Sequence, residues 1–267
     1  MSPLLRDLIR FGLCPDRALF ARYGRGLRPS LVKKGSIPVE PGAPDEPWRG
    51  ALAGLRQILK DEVPRNADAS IVLSSHFVRH LVLPANESLS GREEWREYAS
   101  HQFERIHGAR ARGWDVQVAE SAAPHPRLAS AIDKALIEAA LAAFEGSHAR
   151  LDSIQPYLVA AFNRALPSMP GPSFWFALQE PGRLLLGFVR DGVWQSARGR
   201  QVNGRWHEEL PELVERESAL LAAGDSCREV LVSSLGPEEP AATDAFKVTA
   251  ALANLPSGER LYAMVCP

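Results

Sequence analysis

The side chains that could do chemistry in this chain are scattered. His76 and His80 stand at i and i+4, a spacing that suits two zinc ligands on a helix. Here it falls in an extended run, 76–84, where it separates them by about 13 Å, too far to share a metal. Ser74-Ser75 and Ser233-Ser234 lack the G-x-S-x-G elbow of a hydrolase nucleophile. Glu93-Glu94 and Glu208-Glu209 read as carboxylates at helix starts, favoured there by the macrodipole, and not as an acid/base pair. His101 and His107 read as exposed helix residues and 105–112 as a solvated basic cluster. Cys14, Cys227 and Cys266 are far apart and none sits in a C-x-x-C pair, which fits a reducing compartment and argues against a disulfide framework or a zinc site. No G-x-x-x-x-G-K-[ST] loop occurs. Trp48, Trp95 and Trp206 fall on inward helical faces and read as core.

The elements that must position these residues are organised around 173–192. Two apolar runs, 174–178 and 184–189, flank Gln179-Glu180-Pro181-Gly182, and adjacent Pro and Gly mark a turn because Pro fixes φ and Gly tolerates positive φ. The amino-terminal part echoes it. Phe11-Gly12-Leu13 leads into Cys14-Pro15-Asp16-Arg17 and a second apolar run. Each hairpin is followed by a basic third strand (28–36 and 195–202), then a Trp (Trp48, Trp206) opening a helix, then a strand ending in two serines. From Trp to the first serine is 26 positions in one half and 27 in the other. Order and spacing repeated together point to an internal duplication.

A chain of 267 residues, 45% hydrophobic and 24% charged, can bury one large core or two ordinary ones. A net charge of -1 offers no global electrostatic argument for nucleic acid. The start is broken by Arg6, Asp7 and Arg10, so it lacks a signal-peptide core. No apolar run reaches the ~18 residues of a membrane span, so a soluble, cytoplasmic protein without direct membrane insertion is expected.

In chain order, a Pro/Gly-rich loop at 38–47 precedes a helix carrying Trp48, Leu52, Leu55, Ile58 and Leu59. Ser90 and Glu93 form a capping-box signature for a helix with Trp95, Ala99, Phe103 and Ile106 on one face. A strand covers 114–119. Leu128, Ile132, Leu136, Ala140 and Phe144 recur every fourth residue, which predicts one helix over 128–144. Residues 151–154 read as a short strand, and Pro156 starts a helix through 166. The Pro/Gly-rich segment 167–172 is the expected boundary between a first domain, 1–167, and a smaller second one, 173–267. There the spacing predicts a helix over 208–223 with Pro211 in its first turn, a polar loop at 236–244, and strands at 246–249 and 261–265.

Strand–strand–strand–helix–strand, written twice, is the order of the ribonuclease-H-like half-domain. Two such half-domains make the actin-like fold, so the fold class expected is α/β: a degenerate actin-like fold with a pared-down second half. The Cys14-Pro15-Asp16-Arg17 turn, the 72–79 strand with Pro84, the segment 150–156 and Asn163 resemble the PilM/GspL group, actin-like proteins of type IV pilus and type II secretion assembly platforms. In that fold, nucleotide binding relies on glycine-bearing hairpin turns whose N–H groups cradle phosphates and whose Asp side chains hold the metal and its water. Here Cys14, Pro15 and Asp16 supply no glycine and Pro15 removes an N–H; Gln179 and Glu180 offer a misplaced acid; Ser233 opens the segment where a Gly-Gly adenosine contact would fall. The resemblance with eroded turns implies no nucleotide, no cofactor, no metal and no catalysis. The alternative reading is an active nucleotide-dependent ATPase or kinase of the actin-like superfamily using Asp16 and Glu180.

What the resemblance implies instead is binding. PilM-like proteins accept a peptide of an inner-membrane partner, and GspL-like ones contact the secretion ATPase. Segment 77–83 and the elements around Trp95 and Trp114 are the expected contact region, with Phe77, Arg79, Leu81, Trp95 and Trp114 as contact residues, by edge-strand addition or helix docking. GspL-like proteins continue into a membrane helix, so a chain ending at Pro267 is expected to follow the PilM-like arrangement or to be a split cytoplasmic half.

Overall fold

A computed structural model of the chain describes residues 6–26, 30–64, 66–120, 125–221, 227–237 and 246–266. The expected strand start at 28, helix end at 222–223 and loop at 238–244 lie outside them.

The amino-terminal part builds β1 (Asp7–Cys14), β2 (Arg17–Tyr23), β3 (Leu31–Pro38), α1 (Arg49–Asp61) and β4 (Ala67–Leu73). An insertion follows: β5 (Val78–Leu83), α2 (Arg92–His107), β6 (Trp114–Val118) and β7 (Arg127–Asp133). Next come α3 (Lys134–Phe144), β8 (Ala149–Pro156) and α4 (Tyr157–Ala165). The remaining chain forms β9 (Phe174–Glu180), β10 (Arg183–Arg190), β11 (Val193–Gln201), α5 (Trp206–Leu220), β12 (Glu229–Ser234), β13 (Lys247–Ala250) and the short α6 (Ser257–Arg260).

Two five-stranded sheets share one topology. Their orders are β3-β2-β1-β4-β8 and β11-β10-β9-β12-β13. In each, the first three strands pair antiparallel and the fourth and fifth add in parallel. A parallel strand cannot follow a hairpin turn directly, so α1 and α5 supply the crossovers. The insertion forms its own sheet, β5-β7-β6.

By contact density the chain divides into one unit of residues up to 78, 132–160 and from 262 on, and a second of 79–131 and 161–261. In the first, Ile9, Phe11 and Leu13 alternate along β1 to meet Leu52, Leu55 and Ile58 of α1 and Leu136, Ala140 and Phe144 of α3. In the second, one core joins Trp175, Leu184 and Leu186 to Trp206, Leu210 and Val214 of α5, and another joins Leu83, Val116 and Ala129 to Trp95, Ala99 and Phe103 of α2.

Four local expectations change. The single helix over 128–144 is strand β7 followed by α3, because Asp133 caps α3 by accepting from the Ala135 N–H at 2.9 Å. A spacing of four is close to a helical turn and also a multiple of the strand period, so Leu128 and Ile132 fit either. The α2 cap uses Glu94, not Glu93: its carboxylate accepts from the N–H groups of Ser90 at 2.7 Å and Gly91 at 3.1 Å. Helix α5 starts at Trp206, which places Pro211 inside it rather than in the first turn. Residues 261–264 form a 3-10 turn and not a strand.

Candidate functional site

The first hairpin turn is a two-residue turn, Pro15–Asp16, closed by the pairing of Cys14 with Arg17. Its acid is held by its own neighbour. Arg17 donates from Nε at 3.0 Å and from Nη2 at 2.5 Å to Asp16 Oδ2. This hydrogen-bonded pairing holds the Asp16 carboxyl below the usual carboxylate range and pushes the Arg17 guanidinium up. The sheet face behind the turn is covered as well. A Cβ at Gly12 would lie 3.0 Å from Met264 Sδ and 3.1 Å from Val265 Cγ1. Cys14 Sγ donates to Met264 Sδ at 3.5 Å, and the Tyr23 hydroxyl donates to the Val265 carbonyl at 3.4 Å.

The second turn is Pro181–Gly182, with Gly182 at φ 74° in the left-handed region and Glu180 pairing with Arg183. Gln179 and Glu180 therefore belong to β9, and both are buried. Gln179 Oε1 accepts from Ser234 Oγ at 2.7 Å and from the Gly236 N–H at 3.1 Å. Arg260 Nη1 donates to the Gly236 carbonyl at 3.4 Å. The segment expected to face an adenosine has its Gly236 N–H bonded to the protein itself.

Register separates the two serine pairs. Leu73 lies beside Leu13, one residue before the Cys14–Arg17 closure, whereas Ser234 lies beside Gln179, one residue before the Glu180–Arg183 closure. Ser234 thus corresponds to Leu73, and Ser74 to Leu235. The sequence echo was offset because β9 runs one residue further than the Phe-x-Leu match implies, and an odd shift exchanges the faces of a strand.

Among the residues expected to contact a partner, Phe77 is buried in the core of the first unit and Trp95 in that of the insertion. Trp95 Nε1 donates to the Leu89 carbonyl at 3.1 Å, and the Arg127 guanidinium stands 4.4 Å from its ring centre. Leu81 and Trp114 are half-buried against the same core. Arg79 is half-buried on β5, an edge strand of the insertion's sheet. His76 lies in the turn before β5, so only His80 is a strand residue. Among the described residues no cluster of three or more His, Cys, Asp or Glu could hold a metal ion.

Sequence reasoning missed the influence that several cations of the second unit have on one another. Burial and the charges of Arg183 and Arg110 lower the Arg79 pKa to about 10. Burial and the charges of Arg183 and Arg79 lower that of His80 to about 3. Positions 79, 110 and 183 share no local motif, so this influence arises only from tertiary structure.

No protein-family model and no curated protein sequence matches the chain. Solved structures do match in fold. The cytoplasmic domain of EpsL, an inner membrane component of the type II secretion system of Vibrio cholerae, superposes with a TM-score of 0.59 at 11% identity, over 97% of this chain and 94% of that one. A Bacteroides thetaiotaomicron protein with an actin-like ATPase fold and unknown function gives 0.61 at 13% identity over the whole of both chains. A chain of the PilM-PilN type IV pilus biogenesis complex gives 0.61 at 14%, over 85% and 81%. The chain has the two-half-domain actin-like fold, and the PilM/GspL-like resemblance read from its residues is met at the level of that fold.

Proposed function

We propose that this chain is a non-catalytic actin-like scaffold on the cytoplasmic side of a type IV pilus or type II secretion-like assembly, where it binds a membrane-anchored partner. One observation carries the reading. In a fold shared with EpsL and PilM, the groups that would meet a nucleotide bond to the protein itself: Asp16 to Arg17, and the Gly236 N–H to Gln179. A phosphate or metal would have to displace these contacts before gaining its own. No described helix is long and apolar enough to cross a membrane; in this reading the membrane-anchored partner supplies recruitment to the inner membrane. Strand β5 is the segment suited to receive it by strand addition, since it lies at the edge of the insertion's sheet. The secretion ATPase is a second partner under this reading.

Two measurements test it. Thermal denaturation with Mg-ATP is expected to show no magnesium-dependent shift, whereas a ligand at 100 times its Kd would add about 2.7 kcal/mol. Co-purification with the cytoplasmic segment of a bitopic inner-membrane assembly protein is expected to be lost when β5 is altered. Magnesium-dependent ATP stabilisation that disappears in Asp16→Asn would overturn the non-catalytic part.

A further inference from the structure

Of the asparagines in the chain, Asn203 alone precedes a glycine. Asn203 and Gly204 are both exposed, in the turn between β11 and α5. The Arg205 N–H donates to Asn203 Oδ1 at 2.9 Å, which closes an Asx-turn. The ring so closed contains both the side-chain carbon Cγ and the Gly204 nitrogen, and it folds the carboxamide back toward that nitrogen. The same hydrogen bond polarises the Cγ carbonyl, and it stands where negative charge gathers on Oδ1 during an attack on Cγ. The Gly204 nitrogen is open to make that attack. Its N–H has no hydrogen-bond partner among the described residues, and a Cβ on Gly204 would meet nothing within 4 Å.

Two other sites each lack part of this arrangement. Asn86 makes the same Asx-turn, its Oδ1 accepting from the Ser88 N–H at 2.9 Å. Its successor is Glu87, whose side chain shields the nitrogen and whose charge opposes loss of the N–H proton. Asp191 does precede a glycine, yet the Gly192 N–H donates to the Pro172 carbonyl at 3.1 Å and Asp191 is held at φ 52°. A carboxylate is also a poorer electrophile than a carboxamide. Among the described residues, only position 203 combines a carboxamide, an oriented carbonyl and an unengaged glycine nitrogen.

We infer that Asn203 is a site of spontaneous deamidation, promoted by the folded turn and proceeding through a succinimide. Solvent base removes the Gly204 N–H proton and the nitrogen bonds to Cγ. The Cγ–Nδ2 bond then breaks, and Nδ2 leaves as ammonia with a proton taken from water. A second water opens the five-membered ring at either carbonyl, giving aspartate or isoaspartate. The net change is carboxamide plus water to carboxylate plus ammonium, with nothing oxidised or reduced. The product matters to the second unit because Asn203 leads into α5. The Trp206 N–H donates to the Asn203 carbonyl at 3.3 Å, and Trp206 is buried in the core of that unit. Aspartate keeps this carbonyl in place and sets a negative charge near a helix start, where the macrodipole favours it. Isoaspartate routes the main chain through the side-chain carbon, which displaces the carbonyl and loosens the first turn of α5. The site does not depend on the assembly role.

The test is incubation of the full chain at mildly alkaline pH, folded in buffer or unfolded in guanidinium chloride, followed by peptide mass mapping and an enzymatic isoaspartate assay. Position 203 is expected to convert at least as fast in the folded chain as in the unfolded one, because the turn orients the reacting atoms. Gly204→Ala, which has room for its methyl group, is expected to slow conversion about tenfold or more. Asn203→Gln is expected to abolish it, and Asn86 and Asp191 to stay unconverted in the folded chain over the same period. The isoaspartyl form, separated by anion exchange, is expected to melt below the parent protein. The inference fails if position 203 converts more slowly folded than unfolded, if Gly204→Ala converts as fast as the parent, or if Asn86 or Asp191 keeps pace with Asn203. An isoaspartyl form that melts with the parent would overturn the effect on α5.

Discussion

Gln179 and Ser234, neighbours across β9 and β12, share a buried hydrogen bond of 2.7 Å that closes the end of the second sheet. The same Gln179 oxygen takes the Gly236 N–H. Gln179→Ala removes the acceptor on which both donors converge, leaving the hydroxyl its longer contact to the Gly236 carbonyl at 3.4 Å and the Gly236 N–H its contact to Ser234 Oγ at 3.1 Å. It is expected to cost about 0.5–1.5 kcal/mol, the net worth of a hydrogen bond that is lost while its donors keep other acceptors. Chemical denaturation of Gln179→Ala, Ser234→Ala and the double variant checks this, with the double variant losing less than the sum.

Asp16 is partly exposed and its partner is the adjacent residue. Such pairs contribute little, so Asp16→Asn is expected to change stability by less than about 1 kcal/mol in urea. Because the folded-state carboxyl titrates below its ordinary value, whatever stability it adds is present above about pH 4 and fades as pH falls further. A parent protein that binds Mg-ATP only when Asp16 is present would contradict the scaffold reading.

How much could be read from residues alone divides along physical lines. The repeated strand order was legible because Pro-Gly and Pro-Asp turns, apolar runs and the periodic faces of α1 and α5 are local signals. Helix 128–144 was misread because four-residue spacing serves a strand and a helix alike, and only the Asp133 cap decides. The last strand was misread because Met264 and Val265 look like strand residues, yet what buries them is the tertiary gap above Gly12. The influence of Arg110 and Arg183 on Arg79 was not legible at all, because it exists only once the chain has folded.

Glu217 of α5 is buried and reaches Arg198 at 3.3 Å and Arg200 at 3.2 Å on β11. Glu217→Ala removes the anion that joins helix to strand, at an expected cost of about 1.5–3 kcal/mol, the worth of a hydrogen bond to a charged group. Glu217→Met is expected to recover part of that loss, because Arg198 can turn to water while the longer apolar chain keeps the packing. Equal losses for the two variants in thermal denaturation would show that packing counts for nothing at this position.

His80 should make stability depend on pH. Its folded pKa lies near 3, below the ordinary 6.5, because of burial first and then the Arg183 and Arg79 charges. The unfolded chain therefore binds a proton that the folded chain refuses as pH falls below about 6.5. Stability drops toward pH 3, by at most about 1.4 kcal/mol per pH unit from this group. Urea midpoints between pH 4 and 7 should fall less steeply in His80→Asn.

Gly12 and Met264 meet where the returning carboxy-terminal segment lies on β1. A methyl group at residue 12 would sit 3.0 Å from Met264 Sδ, 3.1 Å from Val265 Cγ1 and 3.2 Å from Leu19 Cβ. Gly12→Ala is expected to destabilise by about 1–3 kcal/mol through overpacking. Met264→Ala, at a position 2% exposed, is expected to cost about 2–5 kcal/mol through the cavity it leaves. Combined, the methyl group occupies space the thioether vacated, so the double variant should be more stable than the sum of the single losses implies. Additive losses would mean that the segment does not rest on Gly12 in solution, and the face behind the first hairpin turn would then be open.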